Sequence, residues 1–185
     1  MVNALDNYTA ISNDKVLNQK IVQCVDLSVN AFRNDNKILF CGNGGSASDA
    51  QHLAAELSGR FYFDRPPLYA EALHVNSSYI TAVANDHGYK DTFSRMVESA
   101  GRKGDILIAL STSGNSDNVI KAIEKAKDIG MITVGFTGLY GGKMKDICDI
   151  VLSIPSNDTP RVQEGHILIG HILCQLIEEE LFSDA

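Results

Sequence analysis

Residues 38–58, ILFCGNGGSASDAQHLAAELS, read as a strand, a loop and a helix in succession. Ile38 to Cys41 is a bounded apolar run of strand length. Gly42, Gly44 and Gly45 then permit close backbone approach and positive φ, and Ser46 and Ser48 bring hydroxyls to the opening of a helix. From Ser48 to Ser58 the apolar residues return at three- and four-residue spacing, the pattern of a helix packed on one face. The same succession recurs at residues 105–129: the run Asp105 to Leu110, a loop holding Ser111, Thr112, Ser113, Gly114 and Ser116, and a helical pattern from Ser116 to Ile129. A strand that feeds a helix through a short loop, twice over, is the repeating unit of a parallel α/β sheet.

Working outward, Tyr69 to Leu73, Met131 to Phe136 and Ile150 to Ile154 add three strands, and Asp91 to Ala100 a further crossover helix. The expected fold class is α/β: a three-layer α/β/α sandwich on a five-stranded parallel sheet. Long terminal helices are expected at Asp14 to Arg33 and Pro160 to Phe182, the second with Thr159 as N-cap and Pro160 in its first position. That last helix carries Ile and Leu on more than one face, as would a helix buried against another subunit or one fully covered within a single domain. No linker or low-complexity tract divides the chain, so residues 1–185 are expected to form one domain.

The chain has 185 residues, 44% of them hydrophobic, and a formal charge of −7. Without a Lys/Arg block to neutralise a row of phosphates, it is not a sequence-independent nucleic-acid binder. A small anion can still be held locally by helix N-termini and hydroxyl loops. Cys24, Cys41, Cys148 and Cys174 lie far apart in apolar segments and make no C-x-x-C pair, which reads as buried reduced thiols. Residues 1–15 contain no continuous apolar run, and no stretch approaches the roughly 18 apolar residues of a spanning helix. The expectation is a cytoplasmic protein with no membrane segment.

Both Gly/Ser loops stand at a strand's carboxyl end and open a helix, the position where open parallel sheets bind ligands. Gly42, Gly44 and Ala47 also fit G-x-G-x-x-A, yet the next strand does not end in a ribose-binding acid, and no Lys follows the glycines as in a P-loop. Neither nucleotide reading gives the four hydroxyls of Ser111, Thr112, Ser113 and Ser116 a role, whereas a phosphate cradle does.

His52 and Glu56, four residues apart, share one helix face and could hold a metal together or divide acid and base duties; the same spacing also arises on solvated faces. The last helix sets Gln163, Glu164, His166 and His171 among apolar residues, where each polar group needs a partner. Gln163 and His171 are separated by about 12 Å of helical rise and a turn offset of roughly 80°. Convergence of both on one ion is easier from two copies of the chain, which predicts a symmetric oligomer with shared sites. Asn85 and Asp86 fall in a turn-like cluster after a short helical run, and either turn formation or sugar binding explains them. His74 and His87 have no motif.

CGNGGSASDAQHLAAELSGRF (41–61), AVANDHGY (82–89), LSTSGNSDNVIKA (110–122), TGLYGGKM (137–144) and RVQEGHILIGH (161–171) together resemble the sugar isomerase (SIS) domain family and, within it, the phosphoheptose isomerases. The resemblance spans nearly the whole chain, and it implies a flavodoxin-like order for the five strands. It implies a homotetramer that converts sedoheptulose 7-phosphate to D-glycero-D-manno-heptose 7-phosphate, the first step of ADP-heptose biosynthesis for the lipopolysaccharide core. It also implies one Zn²⁺ per subunit on His52, Glu56, Gln163 and His171, with Glu56 and His171 catalytic. Substrate contacts would come from Asn43, Gly44, Gly45, Ser46, Glu56, Asn85, Asp86, Ser111, Thr112, Ser113, Ser116 and Gln163. A tetrameric binding module of the same superfamily, which associates with a replication initiator protein, also looks similar but lacks the acid at Glu56 and the imidazole at His171. Thr159 and Pro160 depart from the pattern, standing where some phosphoheptose isomerases carry an acidic residue.

Overall fold

The computed structural model describes residues 1–183. Its five strands, β1 (Ile38–Gly42), β2 (Ala70–Ala72), β3 (Ile106–Ser111), β4 (Ile132–Thr137) and β5 (Ile150–Ser153), form one all-parallel sheet in the order β2-β1-β3-β4-β5. This is the flavodoxin-like order, and the reversal of direction at β1 and β3 puts a crevice between the loops that leave those two strands.

Residues alternate strictly between the two faces. Ile38, Phe40, Ile106, Ile108 and Leu110 belong to one core, shared with α2 (Lys15–Arg33), α3 (Gly45–Ser58) and α8 (Thr159–Phe182). Leu39, Cys41, Leu107 and Ala109 belong to the other, closed by α5 (Thr92–Ala100), α6 (Asp117–Ile129) and α7 (Met144–Ile147). Burial on both faces explains why the strands read as apolar runs rather than as alternating patterns. The ends of α2 and α6 follow local chemistry. Asp14 accepts bonds from the backbone N–H groups of Val16 and Leu17 at 3.0 and 2.9 Å, and Gly130 closes α6 in the left-handed region at φ 86°.

Four sequence expectations need correction. Residues 2–13 form an additional helix, α1 (Val2–Asn13), packed against α8; it was not anticipated because only Asn7 and Ile11 are buried and its apolar stripe is thin. Asn85 and Asp86 lie in the last turn of α4 (Ser77–His87), capped at Asn76, rather than in a turn. The N-cap of α8 is Asp158, one residue before Thr159, and Pro160 remains in the first turn. Of the four thiols, Cys24, Cys41 and Cys174 are buried but Cys148 is only half-buried; all are free. Among the described residues, no helix is long and apolar enough to cross a membrane.

Candidate active site

Loop 1, residues 43–44, joins β1 to α3, and loop 2, residues 112–116, joins β3 to α6. In loop 1 Gly44 has φ 56°, and a Cβ on Gly45 would collide with the carboxamide of Gln163 from α8. The Gln163 carboxamide thus lies directly over Gly45, and a larger residue there would displace it. Ser46 is buried, whereas Gly44 and Gly45 are exposed at the crevice. The Asn43 carboxamide bonds to Asn118 in α6, its Nδ2 donating to Asn118 Oδ1 at 2.8 Å and its Oδ1 accepting from Asn118 Nδ2 at 2.9 Å.

Loop 2 and the end of β3 bring three of the four expected hydroxyls together, those of Ser111, Ser113 and Ser116. Ser111 Oγ lies 3.1 Å from Ser116 Oγ and 3.4 Å from Ser113 Oγ. Ser116 is the N-cap of α6, yet its side chain makes no capping bond, because its hydroxyl turns toward Ser111. The Val119 N–H is taken by Asn118 Oδ1, but the N–H groups of Asp117 and Asn118 at the start of α6 have no side-chain acceptor, a suitable setting for an anion. Gly114 has φ 64°, and a Cβ there would overlap the Gly141 carbonyl, so the TGLYGGKM segment forms the outer wall of this loop.

Helices α3 and α8 both start at the carboxyl edge of the sheet and run side by side in the same direction. Two turns along, His52 Nε2 lies 3.0 Å from His171 Nε2 and 3.2 Å from Glu56 Oε1. One ligand atom from each residue falls within 4.8 Å of the others. An imidazole N···N contact requires at least one bare lone pair, and the Glu56 carboxylate faces the same His52 nitrogen. Three electron-rich atoms converge on one point, which a cation would satisfy. Tetrahedral zinc with Zn–N bonds of about 2.0–2.1 Å sets neighbouring ligand atoms about 3.3 Å apart, close to the spacing found. The donor set fits zinc, and three protein ligands leave a position open for substrate.

The structure thus brings His52, Glu56 and His171 together within one chain and leaves Gln163 beside loop 1. His171 and Glu56 need no second subunit to meet. Asn85 and Asp86 are exposed on α4 and bonded to each other, Asn85 Nδ2 donating to Asp86 Oδ1 at 2.8 Å. Glu164 pairs with Arg161. His166 is fully buried against Phe136 and 3.2 Å from the Thr137 carbonyl oxygen. Burial pushes its pKa down to about 4, against a smaller upward effect from that carbonyl, so it is a neutral core residue. His74 follows β2 half-buried, and burial lowers its pKa.

Sequence reasoning missed three parts of this region. Asp49, three residues before His52, has a buried Oδ2 with no bonding partner. Burial raises its pKa to about 6, against the opposing charge of His52. Tyr89, just after α4, donates its hydroxyl to Asn43 Oδ1 at 3.0 Å. Beyond the cluster, Glu178 on α8 receives the N–H groups of Phe61, Tyr62 and Phe63 at 3.0, 2.5 and 3.0 Å, and Arg65 Nε at 2.7 Å. Arg65 in turn donates to the Glu56 and Leu57 carbonyls at 3.1 and 2.9 Å, closing the end of α3. The Phe61 ring rests 5.7 Å from that of His171. Asp49 and Tyr89 stand inside quoted motifs, residues 41–61 and 82–89, whereas Glu178 stands in none.

The sequence matches the SIS domain family over residues 7–138. It is 51% identical over 173 residues to the phosphoheptose isomerase of Aneurinibacillus thermoaerophilus, covering 94% of this chain and 87% of that protein. To the phosphoheptose isomerase of Helicobacter pylori strain P12 it is 56% identical over 162 residues, covering 88% and 84%. The solved phosphoheptose isomerase of Neisseria gonorrhoeae superposes with a TM-score of 0.90 at 40% identity, covering 96% of this chain and 94% of that one. The chain belongs to the SIS domain family, among its phosphoheptose isomerases, and is an enzyme of the sugar-phosphate isomerase class.

Proposed function

We propose that the chain converts sedoheptulose 7-phosphate to D-glycero-D-manno-heptose 7-phosphate, the entry to ADP-heptose for the lipopolysaccharide core. The observation that carries this reading is the His52–Glu56–His171 cluster, two helical turns from a pair of anion-suited loops. The hydroxyls of Ser111, Thr112, Ser113 and Ser116 hold the phosphate, and the backbone of Asn43, Gly44, Gly45 and Ser46, with Asn85, Asp86 and Gln163, holds the sugar. Binding the remote phosphate fixes the reacting carbons against the cluster.

His52, Glu56 and His171 would hold one Zn²⁺; Gln163, two turns away beside loop 1, would reach the same metal only from a neighbouring chain. When bound, the metal supplies Lewis-acid charge beside the carbonyl and neighbouring hydroxyl oxygens. Glu56 removes the proton from C1; the electron pair forms the C1–C2 double bond and the C2 carbonyl oxygen becomes the enediolate oxygen. His171, which can carry a proton on Nε2 only while that nitrogen is off the metal, moves a proton between O1 and O2, and the carbon-bound proton returns at C2. The oligomer is a homotetramer, supported by the apolar Val2, Leu5, Val16 and Val22, all more than half exposed on α1 and α2. We place the protein in the cytoplasm and read residues 1–185 as one SIS domain.

The test is incubation of the purified chain with five-, six- and seven-carbon ketose phosphates, with and without chelator. Turnover confined to the seven-carbon substrate and lost on chelation is expected. No turnover with any of the three would return the chain to the binding-module class.

A further inference from the structure

The reciprocal amide pair between Asn43 and Asn118 has a consequence for the crevice. Asn43 is the first residue of loop 1, and Asn118 is the second residue of α6, just past loop 2. Asn118 is buried, and its Oδ1 also accepts from the Val119 N–H at 3.0 Å, which fixes the orientation of the carboxamide. Asn43 Oδ1 accepts from both Asn118 Nδ2 and the Tyr89 hydroxyl, filling its two lone pairs. Tyr89 opens the 3₁₀ turn Tyr89–Asp91 that follows α4, the helix carrying Asn85 and Asp86. That turn is itself tied to α6 by the Asp91–Lys121 ion pair. Three segments at the carboxyl edge of the sheet therefore meet at one side chain.

Loop 1 has little else to hold it. Among the described residues, the bonds at Asn43 are the only side-chain hydrogen bonds linking residues 43–46 to another element. Gly44 and Gly45 are exposed and have no side chains to contribute. With its oxygen saturated, the Asn43 carboxamide is poorly placed to accept a sugar hydroxyl, so its contribution to binding comes through its backbone.

We propose that Asn118 and Tyr89 are positioning residues that latch loop 1 to loop 2 through Asn43, setting the gap into which the sugar phosphate fits. This rests on the reading of the two loops as the sugar-phosphate site. A net hydrogen bond is worth about 0.5–1.5 kcal/mol, or roughly two- to tenfold in an equilibrium constant. Loss of the two bonds with Asn118 should raise KM for the ketose phosphate about tenfold, and loss of the single Tyr89 bond about threefold. The proton-moving groups lie two turns away, so kcat should change less than KM.

The experiment measures KM, kcat and Tm for Asn118→Ala, Tyr89→Phe, Asn43→Ala and the Asn43→Ala/Asn118→Ala double variant, together with hydrogen exchange at the amides of residues 44–46. Ser46 N–H bonds to the Asn43 carbonyl, so its exchange reports opening of the loop independently of turnover. Expected are a raised KM in both single latch variants, a double variant no worse than Asn43→Ala alone, and exchange about tenfold faster at the Ser46 amide in Asn118→Ala. Tyr89→Phe removes only an exposed hydroxyl and should leave Tm unchanged, so it decides the matter if Asn118→Ala fails to fold. Additive KM effects, or unchanged KM and exchange in Tyr89→Phe, would overturn the latch. If wild type turns over no ketose phosphate while the exchange effects appear, the functional reading fails and the latch stands as a loop restraint alone.

Discussion

Replacing Glu178 with Gln should be the most damaging conservative change in this protein. Four N–H donors from Phe61, Tyr62, Phe63 and Arg65 converge on the two carboxylate oxygens, two to each. Both members of the ion pair are about 1% exposed in their side chains. A glutamine keeps one acceptor and turns an NH₂ toward two of those donors, leaving them unsatisfied and Arg65 without its counter-charge. Breaking a buried ion pair from one side costs about 3–5 kcal/mol, and the orphaned donors overlap with that figure rather than adding to it. For a chain of this size each 1 kcal/mol lowers Tm by about 2–4 °C, so a fall of roughly 6–20 °C is expected. Burial alone would raise the Glu178 carboxyl, but the three backbone donors and Arg65 outweigh it and hold it below the usual carboxylate range. A depressed carboxylate stabilises the fold above its unfolded pKa and loses that contribution as pH falls through the folded one, so the gap between wild type and variant should narrow in acid. Thermal unfolding followed by circular dichroism from pH 8 down to pH 3 measures both effects. A Tm within 2 °C of wild type at pH 8, on the order of 1 kcal/mol or less, would refute the reasoning. Replacing Arg65 and Glu178 together by Met and Leu should not recover stability, because three backbone N–H groups would still lack acceptors.

Glu56→Gln removes the proposed proton acceptor while keeping its shape, and kcat should fall by roughly 10²–10⁴ with little change in Tm. Because Glu56 and His171 meet within one chain, mixing inactive Glu56→Gln and His171→Ala proteins should restore no activity; recovery would mean the cluster is assembled between chains. Ser113→Ala with Ser116→Ala should raise KM about tenfold or more for a phosphorylated sugar, and unchanged kinetics would remove the cradle from loop 2. For Asp49, a folded pKa of about 6 against an ordinary value of 3.8 means that ionising it costs the folded state more than the unfolded one. That cost is absent below the ordinary value, builds between the two and is complete above about 6, so in chelated protein Asp49→Asn should raise Tm at pH 8 and not at pH 3.5; an equal gain at both would count against it.

The strands and crossover helices were legible because both faces of the sheet are buried, so Ile38 to Cys41 and Asp105 to Leu110 are uninterrupted apolar runs between loops rich in Gly and Ser. The placing of the loop 2 hydroxyls at a strand's carboxyl end follows from the same pattern, whereas the order of the strands came with the family resemblance. What stayed hidden depends on contacts between distant segments. Asn118 reads as an ordinary polar residue in the first turn of a helix, and nothing near it in sequence points to Asn43, 75 residues away. Glu178 reads as one acid in the run Glu178-Glu179-Glu180 at the end of a helix, where a solvated face is the usual outcome. The helical-wheel argument correctly separated Gln163 from His171. It could not show that His171 would meet His52, because that requires the register of α3 against α8.

That register is set by three contacts along two parallel helices. At the carboxyl edge of the sheet, Gln163 lies over Gly45, where a Cβ would collide with it. Two turns further along, a Cβ on Gly170 would strike the Leu53 side chain, so the helices approach closely at the residues adjoining His171 and His52. Beyond that, Glu178 and Arg65 join α8 to the carbonyl end of α3. A slip of one residue on either helix would rotate a histidine by about 100° and move it about 1.5 Å along the axis, enough to end the 3.0 Å approach of the two nitrogens. Glycine at 45 and 170 and the buried carboxylate at 178 contribute no group to the cluster itself. They lie where α3 and α8 approach each other beside the cluster, and the metal and proton chemistry proposed for the site depends on that approach.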